Sequence, residues 1–174
     1  MTGVQTWCSS DLAPLYKAFE AQNLAYHDWN LAEVTLDLSK APPEGVFYNR
    51  MSASSHSRGH RYAPEMTAGV LAWLEGHGRL VVNGRSALHL EISKMIQYAA
   101  LSKAGLNVPH TIATAEPQSV IEGFSAFGGM PVITKHNRAG KGLGVQLFRS
   151  KSALSDYVTG DAFEPSVDGV TLVQ

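Results

Sequence analysis

The residues best suited to chemistry in this sequence are a short strand that ends on a lysine and the glycine-rich turn that follows it. The strand covers residues 129–135, the turn covers 138–144, and a second apolar run follows at 145–148. Glycines let backbone N–H groups approach an anion closely, and Lys135 and Lys141 add positive charge at the same place. The pattern therefore predicts a polyphosphate site, and our first hypothesis is chemistry on a nucleotide.

The turn matches neither of the two common phosphate-binding loops. Lys141 is followed by Gly142 rather than by serine or threonine, and the upstream glycine of a P-loop is missing. A strand rather than a helix is expected after the turn, which excludes a dinucleotide-binding loop. The glycines alone favour a hairpin turn with exposed lysines, so the surrounding elements must decide between the two interpretations.

Length and composition describe a globular protein in which any anion site is local. The chain has 174 residues, 44% hydrophobic and 17% charged, which argues against disorder and allows one core or two small lobes. A formal net charge of −1 indicates no nucleic-acid partner. Cys8 is the only cysteine, which excludes an intramolecular disulfide and a cysteine-based zinc site. With neither a signal peptide nor a long apolar run, we expect a cytoplasmic protein without a membrane partner.

Residues 1–90 alternate between apolar strands and amphipathic helices, which predicts a small α/β domain. The predicted strands lie at 4–8, 24–27, 34–36, 46–49 and 80–82, the last of them buried, and the predicted helices run from Ser10 and Asp11 to Asn23 and from Pro64 to Gly76.

The pattern of residues 91–174 predicts an α+β lobe built around a hairpin. A helix ends near Ala104 with four apolar residues at core spacing, and later helices begin at Pro117 and after a Ser150 cap. The four core-spaced residues are Ile92, Met95, Ile96 and Ala99, and strands are predicted at 110–113, at the hairpin and at 169–174.

Several motifs of this second part, taken in order, resemble the ATP-grasp superfamily. Lys94 begins a helix, residues 104–111 read A-G-L-N-V-P-H-T, and the G-M-P-V-I-T-K strand and the glycine turn follow. In that superfamily a lysine-led helix, a G-I-P-x-P-T-like segment, a P-V-V-x-K strand and a glycine loop occur in the same order. The sequence is most similar to the branch of ribosomal-protein glutamate ligases and glutathione synthetases.

The resemblance implies a fold and a set of ATP-binding residues. The fold is α/β: a preATP-grasp, Rossmann-like domain at 1–90, then the α+β N-terminal lobe of an ATP-grasp domain at 91–174, with the C-terminal lobe missing. The two lysines would contact phosphates, the loop would close over the triphosphate, and the last residue would begin the adenine hinge; without the family, Lys94 would be a solvated helix residue. The implied ATP-binding residues are Lys94, Lys135, Gly140, Lys141, Gly142, Gly144 and Gln174.

The resemblance also implies ATP and Mg²⁺ as cofactors, with the metal ligands in the missing lobe. We therefore expect no metal ligand and no catalytic residue within these 174 residues, which alone would be inactive. Four carboxylates lie where the family has no metal ligand, and we interpret them as polar surface. They are Asp156, Asp161, Glu164 and Asp168.

The loop at residues 49–61 carries three arginines and two histidines without an acidic residue. Arginines pair with carboxylates in bidentate geometry, so the loop predicts binding of a small-molecule or peptide carboxylate; the alternative is a solvated loop. The histidines are not expected to bind zinc, because Gly59 and the serines disfavour a helix there. The predicted substrate-binding residues are Arg50, Ser52, Arg58 and Arg61.

Three functions are compatible with these observations. The leading one is the N-terminal part of an ATP-dependent carboxylate–amine ligase, which activates a carboxylate as an acyl phosphate and joins it to an amine. The second is a non-catalytic module that binds a partner through the open edge of its final strand, an edge that would also promote a homodimer. The third is an ATP-grasp phosphotransferase.

Overall fold

The computed structural model describes residues 2–6, 12–31 and 33–174, and it separates the chain into two compact units. Unit 1 is Met1–Glu91 and unit 2 is Ile92–Gln174. Cys8 and the predicted helix cap at Ser10 and Asp11 lie outside the described residues. Within the described ranges, every helix is too short or too polar to cross a bilayer.

Unit 1 is built on a four-stranded parallel sheet with the order β2 (Tyr26–Asn30), β1 (Thr2–Thr6), β3 (Val46–Asn49) and β4 (Leu80–Val82). Parallel strands require crossover connections, and the alternation of strands and helices in the sequence supplies them. Phe47 and three residues of the second helix, Val70, Leu71 and Leu74, are buried in its core. The elements are β1 Thr2–Thr6, α1 Ala13–Ala21, β2 Tyr26–Asn30, β3 Val46–Asn49, α2 Ala63–Gly76, β4 Leu80–Val82 and α3 Arg85–Ile92.

Two predictions for unit 1 are wrong. Residues 34–36 form no strand, because the Asp37 carboxylate accepts hydrogen bonds from the backbone N–H and the hydroxyl of Ser39 (3.1 and 2.6 Å) and so favours a turn. The strand β4 exists but is not buried: Leu80 is 65% exposed and Val82 is 45% exposed. The reason is that β4 is an outer strand that pairs with β3 alone in the described sheet.

Unit 2 is an α+β unit whose antiparallel sheet has the order β5 (Ile112–Thr114), β8 (Thr171–Val173), β6 (Val132–His136) and β7 (Gln146–Phe148). The helices α5 (Pro117–Gly123) and α6 (Lys151–Thr159) pack on one face of this sheet around a cluster that includes Val120, Val132, Leu154 and Val173. Side chains alternate along β6, so Lys135 lies on the face opposite to Val132. The elements are α4 Lys94–Lys103, β5 Ile112–Thr114, α5 Pro117–Gly123, β6 Val132–His136, β7 Gln146–Phe148, α6 Lys151–Thr159 and β8 Thr171–Val173.

The final strand β8 is an interior strand, so the predicted open edge is wrong. It pairs with β5 on one side and with β6 on the other, and Leu172 and Val173 are fully buried. The chain returns to the centre of the sheet, where neighbours on both sides satisfy the backbone of β8. The partner-binding hypothesis and the homodimer contact through this strand therefore lose their structural basis.

The helix α4 is also different from the prediction. The single predicted helix is interrupted at Ser93, and no residue of α4 is buried. Met95 is 47% exposed and Ile96 is 42% exposed, although their spacing suggested a core face. The half-buried residues of this helix include Lys94 and Tyr98, because polar contacts to the end of β6 set its rotation.

The helix α6 begins at the predicted cap. The Ser150 hydroxyl accepts a hydrogen bond from the Ala153 N–H at 3.2 Å. We expect Ser150→Ala to lower the free energy of unfolding of unit 2 by about 1 kcal/mol, because one N–H of the first turn loses its partner. Amide hydrogen exchange of β6 and β8 during denaturant titration measures this change. Ser152→Ala, inside the same helix, is the control, and an equal loss in both variants would contradict the cap assignment.

Candidate functional site

Lys135 lies beside Tyr98 and Gln174 on the face of the unit 2 sheet that is opposite to α5 and α6. Its ammonium group donates to the Tyr98 hydroxyl at 3.0 Å and to the Gln174 side-chain oxygen at 3.4 Å, and it lies 5.8 Å from the centre of the Tyr98 ring. The Gln174 amide nitrogen in turn donates to the Thr111 hydroxyl at 2.9 Å. Strand pairing thus brings together two predicted ATP-binding residues, Lys135 and Gln174.

The pKa of Tyr98 is affected by the positive charges on this face. Burial opposes ionisation of its phenol, but hydrogen bonds with Gln174 and Lys135 and the positive charges of Lys135 and Lys94 outweigh burial, so the pKa of Tyr98 is lowered. The positive charges of Lys135 and Lys94 also favour other anions near this face, including phosphate. Tyr98 was not among the site residues predicted from the sequence, although its position four residues after Lys94 on a helix could have indicated it.

Lys94 holds the start of the glycine turn rather than extending into solvent. Its ammonium group donates to the backbone carbonyls of Asn137 at 3.2 Å and Ala139 at 2.6 Å. These contacts place positive charge at the base of the turn and keep the chain after β6 close to α4. The phosphate contact implied for Lys94 stays a prediction.

The glycine turn is the connection of the β6–β7 hairpin, as predicted. Lys141, Gly142 and Gly144 all have left-handed backbone conformations, with φ of 56°, 75° and 74°. A Cβ atom on Gly144 would collide with the ring of His136, whereas one on Gly142 would meet open space. Glycine is therefore required at Gly144 by packing, while Gly142 leaves its backbone accessible to a ligand.

His136 is the residue against which the turn packs. Its side chain is 6% exposed, and its Nε2 atom lies 2.8 Å from the backbone carbonyl of Glu164. A carbonyl oxygen can only accept, so Nε2 carries the hydrogen. This bond anchors the imidazole beneath Gly144 and fixes the turn to the segment that precedes β8.

Asn137, which was not predicted from the sequence, connects the turn to α4 and to the loop before β8. Its side-chain oxygen accepts from the Met95 N–H at 2.8 Å, and its amide nitrogen donates to the Asp168 carboxylate at 2.7 Å. Its backbone N–H donates to the Val170 carbonyl at 3.1 Å. Asp168, interpreted from the sequence as polar surface, is therefore a largely buried partner of Asn137, with 14% of its side chain exposed.

The predicted substrate residues of unit 1 separate into two groups. Arg50 and Ser52 line a cavity of about 380 Å³. Arg58 and Arg61 do not line it: Arg58 donates to the Ser54 hydroxyl at 3.0 Å, and the guanidinium of Arg61 lies 5.7 Å from the centre of the Tyr62 ring. The cavity is also lined by Glu91, an acidic residue outside the loop at residues 49–61.

A metal centre built from three or more histidine, cysteine or acidic side chains does not occur among the described residues. His56 hydrogen-bonds through its Nδ1 atom to the Ala53 carbonyl at 3.2 Å. The candidate site of this chain is therefore a set of cationic and hydrogen-bonding groups, not a metal centre formed by the part of the chain that the structure describes.

Comparison with solved structures identifies the fold. Over 100% of this chain, the RimK-domain ATP-grasp protein of Sphaerobacter thermophilus matches with a TM-score of 0.69 and 20% identity. D-alanyl-alanine synthetase A of Vibrio cholerae O1 matches with a TM-score of 0.65 and 15% identity over 99% of this chain. The ATP-grasp ligase PsnB, solved with a minimal precursor, Mg and ADP, matches with a TM-score of 0.57 and 16% identity, also over 99%.

These likenesses confirm the predicted ATP-grasp fold, with a preATP-grasp-like unit followed by the first lobe. This chain spans 63%, 58% and 62% of the length of the three matched chains, respectively. No protein-family model and no curated protein sequence matches it.

Proposed function

We propose that this chain is the N-terminal part of an ATP-dependent carboxylate–amine ligase and that unit 2 binds the triphosphate of ATP. The observation that carries the proposal is the environment of Lys135. Its ammonium group is held by Tyr98 and Gln174 on an electropositive face next to the glycine turn. The ATP-grasp fold supports the same assignment, since each of the three matched proteins is named as an ATP-grasp protein or a synthetase.

The proposed reaction has two steps. A substrate carboxylate attacks the γ-phosphorus of ATP to give an acyl phosphate and ADP, and an amine then attacks the carbonyl carbon and releases phosphate, which leaves an amide. Charge builds up on the transferring phosphoryl group, so ammonium groups placed beside it lower the barrier. In the proposal, Lys135 and Lys94 supply these charges and residues 140–144 cover the phosphates.

Gln174 takes a different part in this proposal from the one the resemblance implied. Its backbone N–H and C=O groups pair with Ile133 at 3.0 and 2.8 Å, and its side chain holds Lys135. The Gln174 N–H is used by the Ile133 carbonyl, so donation of that hydrogen to adenine would have to replace this bond. We therefore propose that Gln174 positions the Lys135 ammonium group, with adenine held farther along the chain of the parent protein.

The residues present fit phosphate but offer no cluster of carboxylates for Mg²⁺ within the described ranges. Mg²⁺ would supply further neutralisation of the phosphate charge. The proposal assigns its ligands to residues outside these 174 and expects this chain alone to be inactive. A specificity of the glutamate ligase or glutathione synthetase type, which would join a carboxylate to an amino acid, is part of the same proposal.

Titration of the chain with ATP by calorimetry, with and without Mg²⁺, tests the nucleotide assignment. We expect Lys135→Ala to weaken ATP binding by about tenfold or more, because one charge-assisted contact contributes about 1.5–3 kcal/mol. Lys103→Ala removes an equal charge from the exposed end of α4 and should leave the affinity unchanged. An ATP affinity that is the same in both variants would contradict the assignment of Lys135.

Analysis of products from the parent protein distinguishes ligation from phosphorylation. A ligase consumes ATP only when both a carboxylate and an amine are present and forms an amide. A phosphotransferase leaves a stable phosphorylated substrate without an amine. The second result would overturn the ligase assignment while leaving the ATP site intact.

A further inference from the structure

The cavity of unit 1 lies where parallel sheets commonly bind ligands. Asn49 is the last residue of β3, and Asn83 directly follows β4, so both are at the carboxyl ends of neighbouring parallel strands. Open parallel sheets bind small molecules in crevices at this edge. The volume of about 380 Å³ is within the range of about 300–1,000 Å³ that is usual for small-molecule sites.

Two reciprocal hydrogen bonds connect Asn49 and Asn83, which both line the cavity. The Asn49 amide nitrogen donates to the Asn83 carbonyl at 2.8 Å, and the Asn83 amide nitrogen donates to the Asn49 carbonyl at 3.3 Å. The Asn49 side-chain oxygen also accepts from the Met51 N–H at 3.0 Å, which fixes the start of the arginine loop. A preformed site loses less entropy when a ligand binds.

The cavity carries one charge of each sign. Arg50 reaches it from the loop after β3, and Glu91 reaches it from the last turn of α3. Among the described residues, neither side chain forms an ion pair of 4.0 Å or less. Each is oriented by a neutral neighbour: Arg50 donates to the Tyr48 hydroxyl at 3.4 Å, and Glu91 accepts from the Ala53 N–H at 3.2 Å.

We propose that this cavity binds a free α-amino acid, with its carboxylate on Arg50 and its ammonium group on Glu91. Such a ligand carries both charges on one small molecule and so satisfies two oppositely charged side chains that do not satisfy each other. The guanidinium offers a planar pair of donors for the carboxylate, and the Glu91 carboxylate has acceptor positions beyond the one used by Ala53. The inference rests on the proposed function for its reaction and names the substrate class.

Calorimetric titration of the chain with the standard α-amino acids, up to about 10 mM, tests this site, since most substrates have a KM below that concentration. We expect at least one amino acid to bind. Its N-acetyl and carboxamide derivatives should bind with an affinity that is lower by about tenfold or more, because each derivative loses one charged contact. Amide shifts in a nitrogen–proton correlation spectrum of the unsubstituted chain should be centred on residues 49–52, 83 and 87–91. Absence of binding by every amino acid, or shifts outside these residues, overturns the inference.

Paired variants assign the two charges. We expect Arg50→Gln and Glu91→Gln each to weaken amino-acid binding about tenfold. The Arg50→Gln variant should bind the amino acid and its carboxamide derivative with equal affinity, and the Glu91→Gln variant should bind the amino acid and its N-acetyl derivative with equal affinity. Lys17→Gln and Glu20→Gln remove the same charges from α1 and serve as controls. Equal affinity in the variants and their controls overturns the inference, and thermal melts identify any variant that has lost its fold.

Titration of the same samples with ATP separates this inference from the proposed function. ATP binding without amino-acid binding overturns the amino-acid site alone. Amino-acid binding by a chain that does not bind ATP supports the cavity assignment and overturns the nucleotide assignment of unit 2.

Discussion

Asn137→Ala is expected to lower the free energy of unfolding of unit 2 by about 3 kcal/mol. The substitution removes the acceptor for the Met95 N–H and the donor to Asp168, two bonds of 2.8 and 2.7 Å. Asn137 is only 4% exposed, so water cannot easily replace these contacts, and a buried polar group left without a partner costs about 1–3 kcal/mol.

The two units of the chain allow this loss to be measured with an internal reference. Residues 92–174 contain no tryptophan, whereas Trp29 and Trp73 lie in unit 1, so tryptophan fluorescence follows the unfolding of unit 1. Hydrogen exchange of the β6 and β8 amides follows unit 2. Asn137→Ala should move the exchange transition to lower denaturant and leave the tryptophan transition in place. If exposed Asn107→Ala has the same effect on exchange, Asn137 does not have the proposed connecting role.

Gly144→Ala is expected to destabilise unit 2 by about 2–3 kcal/mol, of which about 1 kcal/mol is backbone strain. Gly144 has a φ of 74°, a conformation that alanine adopts at a cost, and its new Cβ atom would collide with the His136 ring. Relief requires either displacement of the turn or loss of the 2.8 Å bond between His136 and the Glu164 carbonyl. Denaturant titration monitored by hydrogen exchange of β6 measures the total.

Gly142→Ala is a matched control for the collision. Gly142 has nearly the same φ, 75°, but open space around a Cβ atom, so the destabilisation of this variant should be limited to the contribution of backbone strain. A double-mutant cycle with His136→Ala isolates the part of the destabilisation that comes from the collision. In the absence of the ring, Gly144→Ala should lower the stability only by the contribution of backbone strain. Equal losses for the two alanine variants, or no coupling between Gly144 and His136, would show that packing does not fix the turn.

The sequence predicted those parts of the fold that depend on local chemistry. The Ser150 cap, the hairpin around the glycine turn and the strand β3 follow from side-chain hydrogen bonding, positive φ and alternation within a few residues. The ATP-grasp fold was predicted from the order of four motifs: the helix that begins at Lys94, residues 104–111, the strand that ends at Lys135 and the glycine turn. The contact between Lys135 and Gln174 depends on the pairing of β6 with β8, which the local pattern does not specify.

The features that were missed depend on residues far apart in the chain. Asn137 bonds to Met95 and Asp168, which are 42 and 31 positions away, and nothing in its own neighbourhood indicates these partners. Met95 and Ile96 have core spacing, but polar contacts of Lys94 and Tyr98 outweigh that preference and set the rotation of α4. The interior position of β8 is likewise a property of the whole sheet.

The central claim, that unit 2 binds the triphosphate of ATP, is tested most directly by mapping ATP onto the chain with nitrogen–proton correlation spectra. The account predicts that ATP with Mg²⁺ shifts the amides of residues 94–98, 135–144 and 174, and that Lys135→Ala reduces these shifts while Lys103→Ala does not. An unchanged spectrum at saturating ATP, or shifts confined to unit 1, would contradict it.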